Sequence, residues 1–146
     1  MITLLDLTPI VDKLKTDCTL LQNRAFETVA NNDAAYELFG APAAFVYLAN
    51  DASEPNAVIS SVLQSHAMSI AVKTTVRKTQ SLTDRLNTAD AATLRTIRQQ
   101  QLNALLGFKP AGAEKPLEHA SGELTETDRY LVWIDLYNTH DYLTNL

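Results

Sequence analysis

Apolar residues recur along this chain with two different periods, every third or fourth position in some stretches and every second in others, and these periods outline its elements. Thr8-Pro9 reads as a helix start, with Thr8 as N-cap and Pro9 in the first helical position, where a missing N–H costs nothing. Ile10, Val11, Leu14 and Cys18 then fall on one helical face. Phe26 to Val29 is compatible with a short strand. Asn32-Asp33 offers a second cap, for a short helix over 34–39 that Gly40 can close.

The stretch PAAFVYLAN, 42–50, is apolar on both alternating rows: Ala44, Val46 and Leu48 on one, Phe45, Tyr47 and Ala49 on the other. That pattern predicts a strand covered on both sides. DASEPN, 51–56, reads as a loop. Residues 58–78 are the longest β-compatible stretch. From 66 onward His66, Met68, Ile70, Val72, Thr74 and Val76 share one face; Ala67, Ser69, Ala71, Lys73, Thr75 and Arg77 share the other. Continuous from Val62, such a strand would reach on the order of 55 Å at ~3.3 Å per residue. A typical strand spans ~17–20 Å. Either a bend lies near Gln64–His66, or part of the strand projects and needs another chain to pair with or cover it.

Thr83 or Asp84 opens the main helix, which runs to Leu106. Leu86, Ala89, Leu94, Ile97, Leu102, Leu105 and Leu106 favour one side; Arg85, Arg95, Arg98 and Gln99 favour the other. It ends in LLGFKPAGAEKPLEH, 105–119. Gly107 suits the left-handed residue just past a helix, Phe108 can fold back on the last turn, and Pro110 prevents a restart. This corner returns the chain to two closing strands, near Leu117–Leu124 and Tyr130–Tyr137, joined across TETD. Both rows of the second are mostly apolar, so it belongs to the interior. The element order predicts one domain over 1–146 of the α/β, or α+β, class. Its sheet is mixed and mainly antiparallel, packed by one long and one or two shorter helices.

Composition narrows the function classes. At 146 residues, 46% apolar and 20% charged, the chain can bury a self-sufficient core. A net charge of −5 without any Lys/Arg block argues against specific nucleic-acid recognition and against an anionic membrane as partner. No apolar run approaches the ~20 residues that span a bilayer. MITLLDLTP lacks the basic region and cleavage site of a secretory signal. The lone Cys18 excludes an intrachain disulfide and suits a reducing cytoplasm.

Candidate chemistry is sparse. His66, His119 and His140 lie at no metal-ligand spacing and there is no HExxH or CxxC, so neither a metal nor a cofactor is expected. His66, on an apolar row, reads as a packed or hydrogen-bonded residue rather than a ligand. Glu123, Glu126 and Asp128 read as solvated turn acids, Arg85, Arg95 and Arg98 as a solvated or inter-subunit face, and Trp133 and Tyr137 as core. No catalytic residue is assigned. A good core, no site and one overlong strand suit assembly better than catalysis. The strand and the loop 51–57 form the candidate subunit contact, with Asp51, Glu54, Asn56, Lys73 and Arg77 as its candidate interface residues.

The carboxy-terminal half, LRTIRQQQLNALLGFKPAGAEKPLEHASGELTETDRYLVWIDLYNTHDYL, resembles the tail terminator (tail completion) proteins of long-tailed bacteriophages. Leu105, Leu106, Gly107, Phe108 and Pro110 match that family's L-L-G-aromatic-x-P. Pro116, Leu117 and Glu118 match its strand start, Gly122 and Leu124 its Gly-x-Leu, and Trp133 its aromatic-rich last strand. APAAFVYL, with Pro42, resembles the strand after its short helix. One departure is Phe108, where the family often has Trp. The resemblance implies a non-enzymatic virion protein at the tail–neck junction, forming a homohexameric ring. That ring would cap the tail tube, stop its polymerisation and offer the head a joining surface. The implied partners are further copies of this chain, the tail tube protein, a head-tail connector or neck protein and, for a contractile tail, the sheath protein. Two alternatives stay open: another neck or tube-associated subunit, and a small cytoplasmic enzyme or ligand-binding domain.

Overall fold

The computed structural model describes residues 4–79 and 88–144. In chain order they form α1 (Thr8–Asp17), a 3₁₀ turn (Thr19–Leu21), β1 (Ala25–Glu27), α2 (Asp33–Phe39), β2 (Ala43–Ser53) and β3 (Leu63–Arg77). Then follow α3 (Thr88–Leu105), β4 (Glu118–Glu126) and β5 (Tyr130–Thr144). The strands make one sheet in the order β1-β2-β3-β5-β4, parallel only between β1 and β2. This is the mixed, mainly antiparallel α+β arrangement that the element order predicts.

The two rows of each inner strand face different partners. On one face α1 and α3 pack over the sheet, burying Ile10, Leu14 and Ile97 against Val46, Ile70 and Val72. On the other face α2 covers one end of the sheet. Tyr36 joins Phe45, Tyr130 and Val132 there, with the Tyr36 ring 5.9 Å from that of Phe45 and 5.3 Å, edge-on, from that of Tyr130. β2 is therefore doubly covered, but only over Ala43–Val46; Leu48 and the residues after it are exposed.

Local chemistry explains most boundaries. Asn32 caps α2 by accepting the Ala35 N–H at 2.8 Å, and Gly40 ends it at φ +82°. At α1 the expectation is off by one residue. Leu7 holds the cap position and Thr8 is already helical, because Asp6 Oδ1 accepts the Thr8 N–H at 2.9 Å. The expected start of the long helix, Thr83 or Asp84, lies outside the described residues. Its buried stripe runs through Asp90, Leu94, Ile97, Gln101 and Ala104–Leu105, leaving Leu106 half-exposed. Gln101 stands where a leucine would be expected. It is wholly buried because Thr74, across on β3, accepts its Nε2–H at 2.8 Å and donates to its Oε1 at 3.0 Å.

The corner after α3 forms as its residues require. Gly107 adopts φ +79°, its N–H donates to the Leu117 carbonyl at 3.1 Å, and the Leu117 N–H returns to the Phe108 carbonyl at 2.8 Å. Leu117 and Pro110 are buried, while Phe108 is half-buried against the helix-side core with the Lys13 ammonium 5.7 Å from its ring. At the other family position, the Pro42 carbonyl accepts from Arg24 Nε at 2.8 Å.

Two substitutions separate the roles of this corner. A Cβ on Gly107 would meet nothing within 4 Å, so Gly107→Ala should cost only the left-handed backbone penalty, about 1–2 kcal/mol. Phe108→Ala should cost about 2 kcal/mol, below the ~3–5 kcal/mol of a fully buried aromatic. Chemical denaturation of each variant measures both.

Candidate assembly surface

β2, β3 and β5 outrun their neighbours at one end of the sheet. β1 pairs with β2 no further than Val46, and β4 pairs with β5 no further than Asn138. What remains is a three-stranded extension made of 47–53, 63–69 and 139–144. β3 is unbroken over 15 residues, roughly 50 Å at ~3.3 Å per residue, and pairs with β5 from Leu63↔Thr144 to Arg77↔Tyr130. Neither outcome left open for this strand is realised: it runs unbroken through Gln64–His66, and β5 pairs with it over its whole length and β2 as far as His66. Its backbone partners come from its own chain. Asp51–Ser53, expected as loop, continue β2 opposite Met68, Ala67 and His66, and β5 runs past its expected end at Tyr137 to Thr144. Those added residues (Asn138, Thr139, His140, Asp141) carry little apolar signal, which is why periodicity stops short of them.

The loop closing the hairpin is stitched by Asn56. Its Nδ2 donates to the carbonyls of Val58 and Ser61 at 2.7 and 2.8 Å, and its Oδ1 accepts the Leu63 N–H at 2.8 Å. Glu54 N–H to Ser65 and Ala57 N–H to Leu63 carry the ladder toward the tip. Ile59 stands there fully exposed. An apolar residue held outward on an ordered loop is suited to meet another surface.

His66 lies at the centre of the extension, 3% exposed, with both ring nitrogens on carboxylates. Nδ1 is 2.8 Å from Asp141 Oδ1 of β5, and Nε2 is 2.6 Å from Asp51 Oδ2 of β2. Two carboxylates on one imidazole are satisfied only when both nitrogens carry protons. Burial works against that charge, but the hydrogen bonds His66 donates to Asp51 and Asp141, with the negative charge of those carboxylates, outweigh it and raise its pKa. The imidazolium thus ties all three strands of the extension together. This is the hydrogen-bonded role expected for His66, and among the described residues no group of three or more His, Cys, Asp or Glu is placed to hold a metal ion.

A second charged cluster sits farther along the sheet. Asp135, fully buried on β5, accepts from Arg98 Nε and Nη2 at 3.0 and 2.7 Å. Its Oδ1 also meets His119 Nε2 at 2.8 Å and Trp133 Nε1 at 3.1 Å. The guanidinium lies 4.0 Å from the Trp133 ring centroid. Arg98, expected as solvated or inter-subunit, is thereby committed within its own subunit. Gly122, opposite Asp135 in the β4–β5 ladder, makes room for the cluster: a Cβ there would stand 2.7 Å from Trp133 Nε1 and 2.8 Å from Asp135 Oδ1.

The candidate interface residues scatter. Asp51 belongs to the extension, Glu54 and Asn56 to the loop that closes it, and all three are exposed. Lys73 is not: it is 6% exposed, donating to the Ala30 carbonyl at 2.8 Å and Asn31 Oδ1 at 3.0 Å beside the Tyr36 and Tyr47 rings. Burial lowers its pKa. Its row carried other polar residues, so the sequence marked it as a surface position, whereas α2 and the segment before it close over it. Arg77 is exposed but lies at the opposite end of β3, 3.5 Å from Glu37. The signal missed in the sequence is the spacing of Asp51, His66 and Asp141, on three strands whose register no local pattern reveals.

A family model described as Phage tail terminator protein matches residues 1–145. No curated protein matches the sequence. Among solved structures, a chain in the virion of a native gene transfer agent (GTA) particle shares the fold, with a TM-score of 0.53 and 13% identity over 93% of this chain and 92% of that one.

Two predictions follow from the charged clusters. The pKa of His66 is raised on folding, so its stabilisation is complete below the ordinary imidazole value of 6.5 and disappears as pH climbs through the raised value. The melting-temperature gap between the parent and His66→Gln should therefore shrink with rising pH. Gly122→Ala should cost about 1–3 kcal/mol through overpacking against Asp135 and Trp133, measured by denaturant titration.

Proposed function

This chain belongs to the phage tail terminator family, matched over residues 1–145, and we propose from that membership that it closes into a homohexameric ring that caps the tail tube. It is a structural protein of the virion, at the tail, and the family's structural role argues against catalysis. Its associations are with other tail and virion components. The specific partners proposed are the tail tube protein on one face of the ring, a head-tail connector or neck protein on the other, and the sheath protein where the tail contracts.

The mechanism requires no reaction. A tube lengthens because each ring exposes an edge complementary to the next, an open-ended heterologous arrangement. A terminator matches that edge once and presents a different surface beyond it. The three-stranded extension, with Asp51, Glu54 and Asn56 at its exposed end and Ile59 at its tip, is the proposed subunit contact. Its support is geometric: the extension leaves the helix-covered part of the sheet and ends in an ordered apolar point. Lys73 has no part in that contact.

The family match carries this reading, and a null mutant tests it. Phage lacking this protein should make tails of irregular excess length that fail to join heads. The purified chain should run well above 16.1 kDa or assemble on contact with tubes. Normal-length, head-attached tails in the null mutant would refute the proposal.

A further inference from the structure

Among the described residues the sheet has unpaired strand edge on both of its sides. At one, β1 covers only Ala44–Val46 of β2. The Ala44 N–H donates toward β1, to the Arg24 carbonyl at 2.9 Å, so strand alternation turns the N–H and C=O of Val46 and Leu48 the same way. At Leu48 no strand of the sheet receives them, and the side chain is 46% exposed. Beside this edge lies a cavity of ≈ 300 Å³ walled by Leu4, Leu5, Thr28 and Met68. At the other end β4 pairs with β5 on one side only, and eight of its nine residues are exposed. Neither edge carries the Lys or Pro that protects a strand from pairing: one reads YLANDAS, the other EHASGELTE.

Building on the ring reading above, we propose that β4 of one subunit adds to the 47–53 edge of β2 in the next, continuing the sheet across the boundary. The chain itself supplies both halves of the contact. Their directions agree, because three successive antiparallel pairings leave β4 running opposite to β2. Within the subunit β4 lies level with β2 only as far as Asn50, so a neighbour generated by rotation about an axis inclined to the strands, as in a closed barrel, meets the β2 edge antiparallel and staggered toward 47–53. The nine residues of β4 are long enough to cover 47–53. Because the two edges are different surfaces, the contact is heterologous and can repeat around a closed ring. This also extends the role of β2 and β3: the pair holds the acceptor edge out where β1 no longer covers it.

Leu48→Pro removes an N–H that has no partner among the described residues, so the internal ladder should survive while the edge is blocked. Leu48→Lys blocks the same edge by charge and keeps the N–H. Both variants should retain the parent's circular dichroism, yet by light scattering fall from ring mass to 16.1 kDa. Asn50→Cys should form disulfides with Ser121→Cys, Glu123→Cys or Thr125→Cys in a second copy, since all four occupy the α2 face of the sheet. Rings that persist in both Leu48 variants, while the parent also forms rings, would overturn the edge pairing and leave the ring reading standing. So would an Asn50→Cys chain that links only to itself, the mark of a symmetric β2–β2 contact. A parent chain that stays at 16.1 kDa both alone and with tubes would overturn ring formation and edge pairing together.

Discussion

The fifteen-residue ladder between β3 and β5 joins the helix-covered half of the molecule to the extension beyond it. Backbone polar groups removed from water need partners, and here each of these long strands provides the other's. β3 has β2 on its remaining side and β5 has β4 over its first half, so the central strands lack open edges where the helices cover them. Open edge is confined to the margins, where β1 and β4 are short. A long strand does not by itself create a deficit for neighbours to fill. The deficit arises where lateral strands of unequal length stop.

Charge within the sheet follows the same geometry. Asp51, His66 and Asp141 come from three adjacent strands and converge because the ladder sets them side by side. Asp135, Arg98, His119 and Trp133 bring together two strands and a helix. A buried carboxylate left alone would be costly, and each here has a cation or several donors in contact. Gly122 illustrates how this acts on sequence: its backbone is not at positive φ, and the absence of a Cβ matters because the carboxylate and indole already occupy that space.

For a protein of the virion tail, such a division of labour has a physical rationale. The helix-covered half contains most of the apolar core and supports the extension, which contributes little core and presents exposed edge, a charged centre and an apolar tip. Contact between copies can then be made by β-edges and surface residues without disturbing the fold of each copy. Residues that share a strand need not share a role: Lys73 serves the α2-side interior and Arg77 the far end, although both alternate on one row of β3 with residues of the extension.

Taken alone, the residues determined what depends on near neighbours in the chain: the amphipathic stripe of α1, the Asn32 cap and Gly40 stop of α2, the doubly apolar start of β2, the Gly107 corner, the mixed α+β class and the family likeness. Each arises from a propensity, a cap or a period acting over a few residues. Tertiary structure alone decided the rest. Polar segments 51–53 and 138–144 became strand because β3 was there to pair with them, Gln101 entered the core because Thr74 faced it, and Lys73 was buried because α2 and its leading segment closed over it. Whether a polar group can be buried depends on the partner that arrives from a distant part of the chain, and strand register, which brings that partner, is written in no local stretch of sequence.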